Sequence, residues 1–109
     1  MVHLFRFLHV PVGKFLPRRP PFPGSADYWE RRYTRNGTSG AGSYGRLANF
    51  KAGVLNDFVA FHSIESVLEY GCGDGNQLSL SKYPNYHGVD VSRKAISLCK
   101  ARFAGDDHK

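Results

Sequence analysis

The stretch Ser66-Val67-Leu68-Glu69-Tyr70-Gly71-Cys72-Gly73-Asp74-Gly75-Asn76, followed by Tyr86-His87-Gly88-Val89-Asp90-Val91-Ser92, decides how this chain folds. Ser66 to Tyr70 reads as a short buried strand that runs straight into three alternating glycines. Glycine tolerates positive φ, so Gly71, Gly73 and Gly75 permit a tight turn and a close approach of bare backbone to a ligand. Asn76 to Lys82 is expected to form a short helix, closed by Pro84. Tyr86 to Val91 reads as a second strand. Ser92 then caps a helix through Phe103, with Ile96, Cys99 and Phe103 on one stripe and Gly105 just past its end. Strand, glycine turn, helix, strand and helix make a βαβ unit, which implies a parallel strand pair and a right-handed crossover.

The glycine turn also carries the chemistry. Asp90 lies 19 residues after Gly71, against the usual separation of about 20 for the acid that accepts ribose hydroxyls in nucleotide-binding βαβ units. Turn and acid therefore point at one adenosine-like ligand from two adjacent strand ends. A dinucleotide fingerprint needs a glycine where Asn76 stands, and a phosphate-binding P-loop needs a Gly-Lys-Ser/Thr that does not follow. Glu69 and Asp74 flank the turn, so a docked pyrophosphate would meet two negative groups. A ligand bearing an ammonium and a sulfonium suits that field better.

The run Glu69 to Asn76 resembles the glycine-rich first motif of class I S-adenosylmethionine-dependent methyltransferases, and Gly88 to Ser92 resembles the second motif of that superfamily. The resemblance covers about Trp29 through Phe103. It implies an α/β, Rossmann-like methyltransferase fold, of which this chain holds the first two parallel strands with flanking helices. It also implies S-adenosyl-L-methionine as cofactor and methyl transfer to an acceptor, by default a small molecule. By position, Gly71, Gly73 and Gly75 are expected along the homocysteine portion, and Glu69 and Asp74 near its ammonium. Asp90 is expected on the ribose hydroxyls and Val91 near the adenine. Cys72 belongs to the same turn and reads as a small packing residue, because displacement at a sulfonium needs no protein nucleophile. Tyr44, with Tyr28, Trp29, Tyr33 and Ser43, is expected at the cofactor or acceptor mouth. No catalytic residue is identified. The superfamily has further strands beyond these two, so the chain is expected to be a truncated domain, weakly active alone. Two rival readings are a non-catalytic nucleotide-binding or partner-binding fragment and, with less support, an NAD-type oxidoreductase.

Upstream, Ser25 is placed to cap a short helix through Trp29, with Asp27 and Glu30 in its first turns. Asn36 to Gly45 holds four glycines and reads as a loop. Leu47, Phe50, Val54, Phe58 and Phe61 follow steps of 3, 4, 4 and 3, an amphipathic helix whose stripe is expected to pack in the core.

Composition sets the outer limits. The chain has 109 residues with 41% hydrophobic and 22% charged, ordinary for one globular domain. No apolar run reaches the length of a membrane span. Two cysteines are too few for a disulfide scaffold, and the five histidines show no metal spacing. A cytoplasmic location is expected. Residues 1–35 hold seven Lys or Arg against two acids, and the rest of the chain is nearly balanced. Basicity confined to the front end argues against specific nucleic-acid recognition. Residues 1–26 form a basic, proline-rich arm, suited to a weak contact with a membrane surface or partner, with a targeting segment as the minor reading. Residues 27–109 form the methyltransferase-like portion. Oligomeric state is not legible at this level.

Overall fold

A computed structural model describes residues 18–107 and Lys109. Most of the arm, 1–17, lies outside the described residues. Of its remainder, Arg18 to Gly24 has no regular secondary structure, and Ser25 and Ala26 already belong to the first helix, so the arm ends two residues earlier than expected. The order of elements is α1 (Ser25–Thr34), α2 (Gly45–Phe61), β1 (Val67–Tyr70), β2 (Tyr86–Val89) and α3 (Arg93–Arg102). This is a small α/β unit with two parallel strands and three helices. The strands pair in register, with Val67 opposite Tyr86 and Tyr70 opposite Val89. Among the described residues no helix is long and apolar enough to cross a membrane, and no cluster of His, Cys, Asp and Glu is placed to hold a metal ion.

Helix α1 is longer than expected and begins without a side-chain cap. Gly24, at φ 97°, occupies the cap position, so Ser25 is the first helical residue rather than the cap. The helix ends in a Schellman motif: Gly37 N donates to Arg32 O (2.8 Å) and Asn36 N to Tyr33 O (3.1 Å), with Asn36 at φ 61°. Trp29 and Tyr33, four apart, stack with ring centroids 5.9 Å apart. Glu30 does not serve its own helix terminus. Its Oε2 accepts from Ser92 Oγ (2.6 Å) and Lys94 N (3.1 Å), which fastens α1 to the start of α3. Ser92 in turn caps α3 as expected, accepting from Ala95 N at 3.0 Å.

Helix α2 contradicts the expectation placed on its apolar stripe. Leu47, Phe50, Val54, Phe58 and Phe61 are 53–84% exposed, and the buried face is Ala48, Ala52 and Val59. The reason is steric. The neighbours of α2 are the tight turns Ala41–Ser43 and Leu78–Leu80, and small side chains let those backbones come close. Asn56, on that side, donates to Leu80 O (3.0 Å) and accepts from Lys82 N (2.8 Å). These bonds also explain why Asn76 to Lys82 shortens from the expected helix to one 3₁₀ turn. Lys82 N, which a longer helix would pair internally, is taken by Asn56, while Asn76 and Gln77 reach across to Ser43 O and Ala48 O.

β1 starts one residue later than expected, at Val67, and ends at Tyr70 as expected, whereas β2 stops at Val89 rather than Val91. Val89 O accepts from Gly71 N (2.7 Å) and Cys72 N (3.1 Å), which turns the chain out of the ladder. Asp90 and Val91 therefore lie beyond β2. One sheet face stays uncovered, exposing Leu68, Tyr70 and Val89.

Ser92 is fully buried and serves both as cap and as donor to Glu30. We predict that Ser92→Ala lowers stability by about 1–2 kcal/mol, seen as a lower urea midpoint at unchanged slope.

Candidate functional site

The glycine turn is built as the alternation demands. Gly71, Gly73 and Gly75 have φ of 79°, 62° and 82°, a region that side chains disfavour. Beyond that shared conformation their surroundings differ. A Cβ at Gly71 would meet nothing within 4 Å. One at Gly73 would collide with Ser39 Oγ and come within 3.0 Å of Tyr33 Oη. One at Gly75 would press on Cys99 Sγ and Phe103 Cε2, each at 2.9 Å. Gly71 is thus the open position, Gly73 the seat of the upstream loop, and Gly75 the contact with α3.

A cavity of about 510 Å³ opens at the carboxyl end of the strands, lined in part by Glu69, Gly71, Cys72, Gly73, Asp90 and Val91. Its size lies within the roughly 300–1,000 Å³ of small-molecule sites. Trp29, Tyr33 and Ser43 join the wall, as expected from position, and so do Ser39, Lys51 and Gln77. Asp74, Gly75, Tyr28 and Tyr44 do not line it.

Asp74 turns inward. It is buried, and its Oδ2 accepts from Tyr44 Oη (2.6 Å) and Ser39 N (3.2 Å), its Oδ1 from Asn76 N (3.0 Å). Asp74 N donates to Ser39 Oγ at 3.1 Å, so the two residues are joined reciprocally. Burial opposes ionisation of this carboxyl, but the bonds from Tyr44, Asn76 and Ser39 outweigh it and hold the group below its ordinary value of 3.8. Burial first, then the Asp74 carboxylate, pushes the Tyr44 phenol up. Asp74 and Tyr44 are thus a clasp between the upstream glycine loop and the turn.

Asp90 faces both the cavity and the backbone. Its Oδ2 accepts from Gly73 N and its Oδ1 from Ser92 N, each at 2.9 Å. A carboxylate has about four acceptor sites, so both oxygens retain capacity for a ligand. Glu69 accepts from Tyr86 Oη through Oε2 at 2.7 Å. Burial, and secondarily this bond, raises the Tyr86 phenol so that it stays a neutral donor.

Burial pushes the Cys72 thiol up to about 12, with Cys99, Asp90 and Glu69 adding to the effect. The thiol stays protonated near neutral pH and is no nucleophile there. Room for it comes from Gly88, where a Cβ would lie 2.8 Å from Cys72 Cβ and from Tyr86 Oη.

Ser39, Lys51 and Gln77 are cavity-wall positions that the sequence did not reveal. Ser39 stands 35 residues from its partner Asp74, and no local pattern announces such a pair. Gln77 Nε2 donates to Ala48 O (3.0 Å), which fixes the amide's orientation, and its buried Oε1 has no hydrogen-bond partner.

No family model matches the chain, and no solved structure matches it.

Two variants test this anatomy. Gly73→Ala combines a forbidden φ with a collision against Ser39 and is expected to cost about 1–3 kcal/mol in thermal or urea unfolding. Asp74 titrates lower folded than unfolded, so the stability it supplies is complete above the unfolded carboxyl's range. That stability is lost as pH falls through the folded value. The unfolding midpoint of the unaltered chain is expected to fall below about pH 4 more steeply than that of Asp74→Asn.

Proposed function

We propose that this chain is an S-adenosyl-L-methionine-binding unit of the class I methyltransferase kind, with a Rossmann-like cofactor half, acting in the cytoplasm on a small-molecule acceptor. The observation that carries the reading is the pair of carboxylates, Glu69 of β1 and Asp90 just past β2, which line one cavity together with the exposed Gly71. Open space at Gly71, a cavity of suitable volume and the acid at the second strand end all fit a nucleoside that carries an amino-acid tail.

Charge favours that class over a dinucleotide. Among the described residues Lys51 is the one cationic side chain of the cavity wall, against Glu69 and Asp90. A pyrophosphate would meet both carboxylates with one ammonium to offset them, whereas an ammonium and a sulfonium are attracted. The cofactor supplies the electrophilic methyl group. The chain's own residues bind and orient it. Glu69, held by Tyr86, keeps Oε1 for the ammonium, and Asp90, braced by two N–H groups, offers its remaining lone pairs to the ribose hydroxyls. The Gly71–Gly73 backbone gives the tail room, and Val91 offers apolar surface to the base. No residue of the cavity wall has been given the role of nucleophile, in keeping with direct displacement at a sulfonium.

A non-catalytic binding unit shares this entire site and differs only in turnover. The fact that favours it is that Asp90 and Asp74 both perform structural work in the turn.

Titration calorimetry with S-adenosylhomocysteine, S-adenosylmethionine and NAD tests the proposal. Binding of the first two and silence with NAD is expected. Asp90→Asn keeps an acceptor for Gly73 N but loses the charge, and should weaken S-adenosylhomocysteine by about 1.5–3 kcal/mol with the circular dichroism unchanged. Tight NAD binding without a response to the other two sinks the reading.

A further inference from the structure

The exposed stripe of α2 is symmetric about its own midpoint. Leu47 and Phe61 lie seven residues either side of Val54, and Phe50 and Phe58 lie four either side. All five are on the face opposite Ala48, Ala52 and Val59, the side of α2 that is buried. A stripe evenly spaced about its midpoint suits an isologous two-fold contact, in which residue i meets j, j meets i, and only the residue on the axis meets its own mate. Antiparallel pairing about Val54 sets Leu47 level with Phe61, Phe50 level with Phe58, and Val54 against itself. The five positions span 14 residues in four steps, a mean of 3.5, which is the period of a coiled-coil seam.

Charge agrees with the same register. Lys51 and Asp57 lie three residues either side of Val54 and both are exposed. Antiparallel pairing levels each with its opposite. Parallel pairing in register would level Lys51 with Lys51 and Asp57 with Asp57.

Area agrees as well. Phe50, Phe58 and Phe61 are 69%, 54% and 84% exposed. At about 200 Å² for a whole aromatic side chain they present roughly 400 Å² between them. With Leu47 and Val54, two copies bring together roughly 1,000 Å², the scale of a specific interface. Contiguous apolar patches of this size are often functional surfaces.

We propose that this face of α2 is the interface of a homodimer, formed by antiparallel packing of α2 on α2 about a two-fold axis at Val54. It meets the cavity wall at Lys51 but leaves the carboxylate pair outside the contact, and it does not depend on which ligand the cavity takes.

Sedimentation of the 109-residue chain tests it. The unaltered chain is expected to run as a dimer at micromolar concentration. Val54→Glu changes an exposed side chain of the single copy, so circular dichroism should be unchanged while self-association weakens about 100-fold or more. A monomer from the unaltered chain, or a dimer indifferent to Val54→Glu, overturns the proposal. Cross-linking then reads the register. Under mild oxidation Val54→Cys should form an interchain disulfide with itself. Leu47→Cys should do so only when mixed with Phe61→Cys, the unaltered chain serving as the control for Cys72 and Cys99. Efficient self-linking of Leu47→Cys would mean a parallel pair and would overturn the antiparallel geometry.

Discussion

The unit depends above all on the Asp90 carboxylate, which joins the turn after β1 to the helix after β2. One oxygen receives Gly73 N and the other Ser92 N. Two strands of four residues each are a slight sheet by themselves. What holds their ends in a defined relation is this charge-assisted bridge, of the kind that is shorter and stronger than a neutral bond. Ser92 passes the constraint on, since its hydroxyl serves both α3 and Glu30 of α1. The chain from α1 to the glycine turn is thus a single hydrogen-bonded series, running Glu30, Ser92, Asp90 and Gly73.

A second series meets the turn from the other direction. Tyr33, Ser39, Asp74 and Tyr44 connect the end of α1, the glycine loop and the start of α2. Local electrostatics divide the acids by task. Asp74 does not line the cavity and accepts three protein hydrogen bonds, whereas Glu69 and Asp90 each meet a protein donor and still face the opening. Burial keeps Tyr86, Tyr44 and Cys72 neutral, so among the described residues the charge around the cavity is carried by the carboxylates and Lys51.

Much of this was legible in the chain, for a physical reason. Three glycines at alternate positions need left-handed backbone, and Gly71, Gly73 and Gly75 have it. An acid at the correct remove from them lands beside the turn, as Asp90 does. The serine before Arg93 caps because its hydroxyl suits that geometry. The errors are equally instructive. Periodicity in α2 marks an apolar stripe but cannot say which of two apolar faces packs inward, and alanines won over phenylalanines because the adjoining turns sit close. Asp74 carries the same charge as Asp90 within the motif, yet Ser39 and Tyr44 draw it away from the cavity. Those partners come from distant sequence, as do Lys51 and Gln77, and only the tertiary arrangement brings them together.

Gln77 marks where the fold yields ground to its cavity. Its amide nitrogen supports the backbone of α2 at Ala48, and its oxygen is shut away beside the opening with no donor. An apolar side chain of similar length would remove the cost of that lonely acceptor but would give up the tie to the Ala48 carbonyl, which inside α2 also accepts from the helix's own ladder. The amide thus trades an unpaired oxygen for a link between the turn and α2, so this point of the wall is a compromise between rigidity and polarity. Such compromises tend to survive where a binding surface, rather than the core, sets the demand.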